Sequence, residues 1–143
     1  MPTKTITLKV PSNISKKKIE EAIKRLELEE KYKKTDNFKL FVKDEDFKMK
    51  IYKIADYVEK YLKKKYPKEE FEIVLDYDGI DEKVIVEVMF KKKLDKRKLK
   101  DIKSIVRKIK EMVFDAWKEV NKKFPDMEGV LIVTSDLDKP TFI

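Results

Sequence analysis

Residues 71–90 read FEIVLDYDGIDEKVIVEVMF and predict a β-hairpin. The two flanking segments, residues 71–77 and 83–90, are rich in β-branched and aromatic residues, which favour strands. Between them, Asp78 and Gly79 supply the residue types that a tight turn or a bulged hairpin requires. We therefore place this hairpin at the centre of the fold.

Amphipathic helices are predicted on both sides of the hairpin. The preceding helix begins after a capping Asp44 or Asp46 and ends at Pro67, and its apolar residues recur at helical spacing: Phe47, Ile51, Ile54, Ala55, Val58 and Leu62. The following helix, residues 95–124, has an apolar residue every three or four positions. After Pro125, the run GVLIVTS (129–135) is apolar on both faces, as expected of an interior strand.

The segment before the first of these helices, residues 37–43, alternates in polarity and predicts another strand, with Phe38, Leu40 and Val42 on one face. Residues 37–136 would then run strand, helix, strand, strand, helix, strand. This order predicts an α+β fold, a ferredoxin-like βαββαβ sandwich in which helices cover one face of an antiparallel sheet. We assign this body to residues 37–143.

Residues 1–36 form an extra strand-helix unit in front of the body, either as a separate unit or as part of one continuous domain. Residues 3–10 alternate in polarity up to Pro11, and the following helix is predicted through about residue 33. The extra strand could extend the sheet or exchange with another chain.

The chain contains no cysteine and no histidine, which removes disulfides, zinc-thiolate sites, cysteine nucleophiles and the usual general base. We therefore expect a protein that is not an enzyme, with no catalytic residues and no cofactor. The acidic cluster Asp76, Asp78, Asp81 and Glu82 could present oxygens to a divalent metal. Turn chemistry explains the same residues, so no metal is expected.

The chain is strongly basic, with 36 Lys and Arg against 28 Asp and Glu and a net charge of +8, which favours an anionic partner. The densest basic run predicts a partner or nucleic-acid contact and comprises Lys91, Lys92, Lys93, Lys96, Arg97, Lys98 and Lys100. The lysine-rich, amide-poor composition is typical of thermophilic proteins and would also suit a computational design. With neither a signal peptide nor a membrane span in the sequence, we expect a cytoplasmic protein without a membrane partner.

The opening TKTITLKVPSNISKKKIEEAIKRL (3–26) resembles the N-termini of small archaeal antitoxins, including ribbon-helix-helix types. In that family the strands of two chains pair, and their outward side chains enter the DNA major groove. The resemblance implies that Thr5, Thr7 and Lys9 face DNA. The family passes directly to a second helix, whereas residues 37–43 here predict a strand.

These observations together predict a small regulatory binding protein, antitoxin-like at its N-terminus, that binds a protein partner or a second copy of itself, and also DNA. One alternative is a structural or designed α/β scaffold without a natural ligand, which predicts a stable monomer with no nucleic-acid affinity. The other is a metal-dependent enzyme using the carboxylates of Asp76 and Asp78.

Overall fold

The computed structural model describes residues 16–94, 97–135 and 141–142 and has an α+β fold. In chain order the elements are α1 (Lys16–Lys31), β1 (Lys33–Lys34), α2 (Asp36–Phe41), α3 (Glu45–Lys65), β2 (Phe71–Asp78), β3 (Lys83–Phe90), β4 (Lys93–Leu94), α4 (Leu99–Lys123), a 3-10 turn (Pro125–Met127), β5 (Leu131–Thr134) and β6 (Thr141–Phe142). The predicted strand at residues 3–10 lies outside the described residues.

The predicted hairpin is confirmed by the antiparallel pairing of β2 with β3, in which Phe71 is opposite Phe90 and Asp78 is opposite Lys83. Alternate side chains of both strands are buried, which is the period-two pattern of a sheet with one face on the core. At the turn, Asp78 Oδ1 accepts hydrogen bonds from the N–H groups of Ile80 (2.9 Å) and Asp81 (3.3 Å). Asp78 therefore acts as a turn residue.

The main sheet is mixed, with the strand order β1-β2-β3-β5. Strand β1 is parallel to β2, and β5 is parallel to β3. A ferredoxin-like sheet is antiparallel, whereas this sheet is mixed. The predicted ferredoxin-like arrangement is therefore not confirmed. Helix α4 instead connects two neighbouring parallel strands, β3 and β5, in a βαβ unit. The short strands β4 and β6 pair in a separate two-stranded sheet.

The prediction of a strand at residues 37–43 is wrong, because residues Asp36–Phe41 form the helix α2. Thr35 caps this helix by accepting a hydrogen bond from the N–H of Phe38 at 3.3 Å. Phe38 and Val42 are buried, whereas Leu40 is 63% exposed. The spacing of four residues between Phe38 and Val42 suits one face of a helix as well as one face of a strand. The alternation was therefore ambiguous.

The core lies between the sheet and the two long helices. Both predicted helices are confirmed, although α4 begins at Leu99 and not at residue 95. Their fully buried residues include Ile51, Ile54, Val58, Leu62, Met112, Ala116 and Val120. Helix α1 packs on α3, where the ammonium of Lys31 pairs with Asp56 at 3.2 Å and with Glu59 at 3.0 Å. Within the described ranges, no helix combines the length and apolar character needed to span a membrane.

Candidate binding surface

A groove along the N-terminal half of α4 carries both apolar and basic side chains. This α4 groove has a volume of about 360 Å³ and is lined by Ile102, Lys103, Val106, Arg107 and Lys110. Residues three, four, seven and eight positions apart lie on one side of a helix, so the local fold of α4 alone brings these five together. Among the described residues, the lining of the groove comes from α4 alone.

The cations of the α4 groove are not neutralised. Lys103, Arg107 and Lys110 are exposed, and none of them forms an ion pair with another described residue. From Arg97 to Lys110 the chain has seven Lys or Arg residues and a single acidic residue. A positive field therefore surrounds the groove.

Apolar side chains extend this surface in both directions along α4. Leu99 is 60% exposed in the first turn of the helix, and Phe114 is 56% exposed one turn beyond the groove. The Phe114 ring packs edge-on against Trp117, and the Lys118 ammonium lies 5.5 Å from the centre of the Phe114 ring. Exposed apolar residues next to cations are the components of an interaction surface.

Lys92, one of the predicted contact residues, is held in an ion pair. Its ammonium lies 2.7 Å from a carboxylate oxygen of Glu69, and the Lys108 ammonium lies 3.3 Å from the other oxygen. Burial by itself would raise the pKa of Glu69, but hydrogen bonds from these two lysines lower that pKa below its ordinary value. Lys92 and Lys108 therefore connect the end of the hairpin to α4.

The other members of the predicted basic run have different positions. Lys91, Arg97, Lys98 and Lys100 are exposed, the last three beside the α4 groove. Outside the described residues lie Thr5, Thr7, Lys9, Lys96 and the side chain of Lys93. Sequence reasoning missed Lys103, Arg107 and Lys110, although their spacing of four and three residues within a helix was a usable signal.

The acidic cluster at the hairpin turn serves the backbone. Asp76 accepts hydrogen bonds from the Thr35 hydroxyl and, at 2.8 Å, from the N–H of Tyr77. Thr35 also donates its N–H to the carbonyl of Leu75 at 2.9 Å. Across the described part of the chain, no group of three or more acidic side chains is placed to hold a metal ion. Asp76 therefore connects β2 to the start of α2.

A second carboxylate, Asp115, joins α4 to the end of α3. Its Oδ2 atom accepts hydrogen bonds from the hydroxyls of Tyr61 (3.0 Å) and Tyr66 (3.2 Å) and from the Lys65 ammonium (2.5 Å). The hydrogen bond from Lys65 is the main cause that lowers the pKa of Asp115, and the two tyrosines contribute while burial opposes them. Because Asp115 belongs to α4 while Tyr61 and Lys65 belong to α3, we interpret the cluster as a helix-helix contact.

Comparison with known proteins identifies one close relative. No protein-family model matches the chain. No solved structure matches it either. The chain is 81% identical over 138 residues to uncharacterized protein MJ0991 of Methanocaldococcus jannaschii, a match that covers 96% of each chain. Identity at this level over nearly the full length shows common descent, so the chain belongs to the family of that Methanocaldococcus jannaschii protein.

Proposed function

We propose that this protein is a small basic binding protein that holds an acidic segment of another protein in the α4 groove. The observation that carries the proposal is a set of three cations without an ion-pair partner among the described residues, Lys103, Arg107 and Lys110, beside the apolar Ile102 and Val106. An amphipathic acidic segment would place its apolar residues on the groove and its carboxylates on the cations.

The proposed mode of action is occupancy, because binding alone would block or recruit the partner. The resemblance of the N-terminus to antitoxins adds the proposal that Thr5, Thr7 and Lys9 contact DNA. The protein would then act as a regulator in the cytoplasm. Exposed lysines around the groove would speed encounter with an acidic partner, and the apolar residues would supply the contact area.

The sheet face that points away from the core favours a protein partner over RNA. That face carries half-buried residues, Glu72, Val74, Asp76, Ile85, Glu87 and Met89. RNA-binding sheets present aromatic side chains on which bases stack. The residues of β2 and β3 on this face are acidic or apolar without an aromatic ring, so these two strands offer no stacking platform there.

Binding of a synthetic acidic helix tests the proposal. A fluorescent peptide with Leu at every third or fourth position and Glu elsewhere is titrated with the protein at several salt concentrations. The groove variant Lys103→Glu, Arg107→Glu, Lys110→Glu is compared with a control of equal charge change, Lys17→Glu, Lys24→Glu, Lys53→Glu. We expect the groove variant to weaken binding by about tenfold or more, and the control by about twofold.

Two results would reject the proposal. If both triple variants weaken binding equally, the peptide senses only net charge. If the peptide does not bind at low salt, the α4 groove is not a site for acidic helices, and the alternative of a scaffold without a ligand is favoured. A duplex DNA titrated in parallel, with Lys9→Ala as its variant, separates a DNA-binding function from the protein-binding one.

A further inference from the structure

A second cavity lies away from α4, where the C-terminal end of α1 meets β1 and α2. Its volume is about 680 Å³, which is within the range of small-molecule sites. Its lining combines acidic and basic residues: Glu29 and Glu30 of α1, Tyr32, Lys33 and Lys34 in or next to β1, and Lys39 of α2.

Lys34 is the central cation of this cavity. Its ammonium donates a hydrogen bond to the carbonyl of Glu29 and lies 5.2 Å from the centre of the Tyr52 ring. Within the described chain it forms no ion pair with a carboxylate, whereas the neighbouring Lys33 pairs with Glu72 at 2.7 Å. The cavity therefore contains a partly buried positive charge with no carboxylate partner among the described residues.

The charges around Lys34 are of both signs. Burial lowers the pKa of Lys34, the nearby Glu29 and Glu30 raise it, and the positive charges of Lys39 and Lys48 lower it further. Lys48 also pairs with Glu45 at 3.1 Å. Lys39 is exposed and forms no ion pair with a described residue. Lysine ammonium groups and carboxylates therefore both act on Lys34 at this cavity.

Two buried tyrosines next to these charges have hydroxyl groups without a hydrogen-bond partner among the described residues. Tyr32 lines the cavity and is 5% exposed, and Tyr52 lies against Lys34 and is 2% exposed. Burial raises the pKa of each hydroxyl to about 12, so both are neutral donors at physiological pH. Buried polar atoms without partners are rare, and they mark places where a ligand or water supplies the missing bond.

We propose that this cavity binds a small phosphate ester, whose phosphate contacts Lys34 and Lys39 and whose hydroxyl groups face Glu29 and Glu30. Converging lysines favour a multiply charged anion, because each ammonium makes a charge-assisted hydrogen bond. The carboxylates in the lining would accept hydrogen bonds from hydroxyls and repel a plain polyanion. The site is independent of the α4 groove, and its ligand is a small molecule.

Calorimetric titration of the full chain with ribose 5-phosphate, ribose and inorganic phosphate tests the assignment. We expect ribose 5-phosphate to bind more tightly than inorganic phosphate, and ribose not to bind. Lys34→Met and Lys39→Met should each raise the Kd for ribose 5-phosphate by about tenfold. Lys64→Met, an equal charge change at an exposed position near the end of α3, should leave the Kd within about twofold.

A variant of Glu29 tests the proposed contact with the hydroxyl groups of the ligand. Glu29→Gln should weaken binding of ribose 5-phosphate and leave inorganic phosphate unchanged or slightly tighter. Thermal unfolding by circular dichroism identifies any variant that no longer folds, and the exposed Lys39 provides a test that does not disturb the core. The proposal is overturned if ribose 5-phosphate does not bind, or if Lys64→Met weakens its binding as much as Lys34→Met and Lys39→Met do.

Discussion

Replacing Tyr52 by Phe is expected to stabilise this protein. The Tyr52 side chain is 2% exposed, and its hydroxyl has no hydrogen-bond partner among the described residues. A buried hydroxyl without a partner costs about 1–3 kcal/mol relative to water. Phenylalanine removes that atom and keeps the ring that packs in the core and under Lys34. We expect the free energy of unfolding to rise by about 1 kcal/mol.

The matched control is Tyr61→Phe, which makes the same chemical change in the same helix. The Tyr61 hydroxyl donates to Asp115 at 3.0 Å, so this variant loses a hydrogen bond and leaves a charged acceptor less satisfied. We expect its free energy of unfolding to fall by about 1 kcal/mol. The two variants should therefore differ by about 2 kcal/mol, with opposite signs relative to the parent protein.

Guanidinium unfolding followed by the fluorescence of the single tryptophan, Trp117, measures both variants. Equal slopes against denaturant show that the change lies in stability and not in the extent of unfolding. If Tyr52→Phe destabilises the protein as much as Tyr61→Phe does, the Tyr52 hydroxyl has a partner and the reasoning fails. The assignment of the neighbouring cavity would then lose one of its supports.

Three further predictions concern the local structure. Leu40→Ala should change the free energy of unfolding by less than about 0.5 kcal/mol, whereas Phe38→Ala should lower it by about 3–5 kcal/mol. If urea unfolding gives similar losses for the two variants, both side chains are buried on one face, as in a strand and not as in α2. Thr35→Ala should lower the free energy of unfolding by about 1–2 kcal/mol and Thr35→Ser by much less, because the Thr35 hydroxyl caps α2 and donates to Asp76. Equal melting temperatures for the two variants would contradict this role. Asp115→Asn should destabilise the protein at pH 7. The difference in stability from the parent protein should shrink as the pH falls below 3.8, because a carboxyl with a lowered pKa stabilises the fold only while it is charged. A constant difference across an acid titration would contradict this role of Asp115.

The elements that sequence reasoning identified correctly are long and strongly periodic. Strands β2 and β3 alternate over eight residues each, and α3 and α4 repeat their apolar residues over 21 and 25 residues. A pattern that repeats over many residues distinguishes a helix from a strand. In α2, by contrast, six residues were compatible with both, and the Thr35 cap and the burial of Phe38 decided for a helix.

The candidate sites show the same division. The basic run near Lys98 and Lys100 was visible in the sequence, and helical spacing could have added Lys103, Arg107 and Lys110 to it. The cavity around Lys34 was not predictable, because Tyr52 reaches Lys34 only through the packing of α3 against β1 and α1. Contacts of this kind join residues far apart in the chain.

Periodicity and charge along the chain were enough to predict the hairpin, the two long helices and the basic character of the surface, because both are local properties. Three features required the folded structure: β5 lies parallel beside β3, Asp115 meets Tyr61 and Tyr66, and Lys34 lies over Tyr52. A periodic pattern specifies which face of an element is buried, whereas the partner of that face depends on packing of the whole chain.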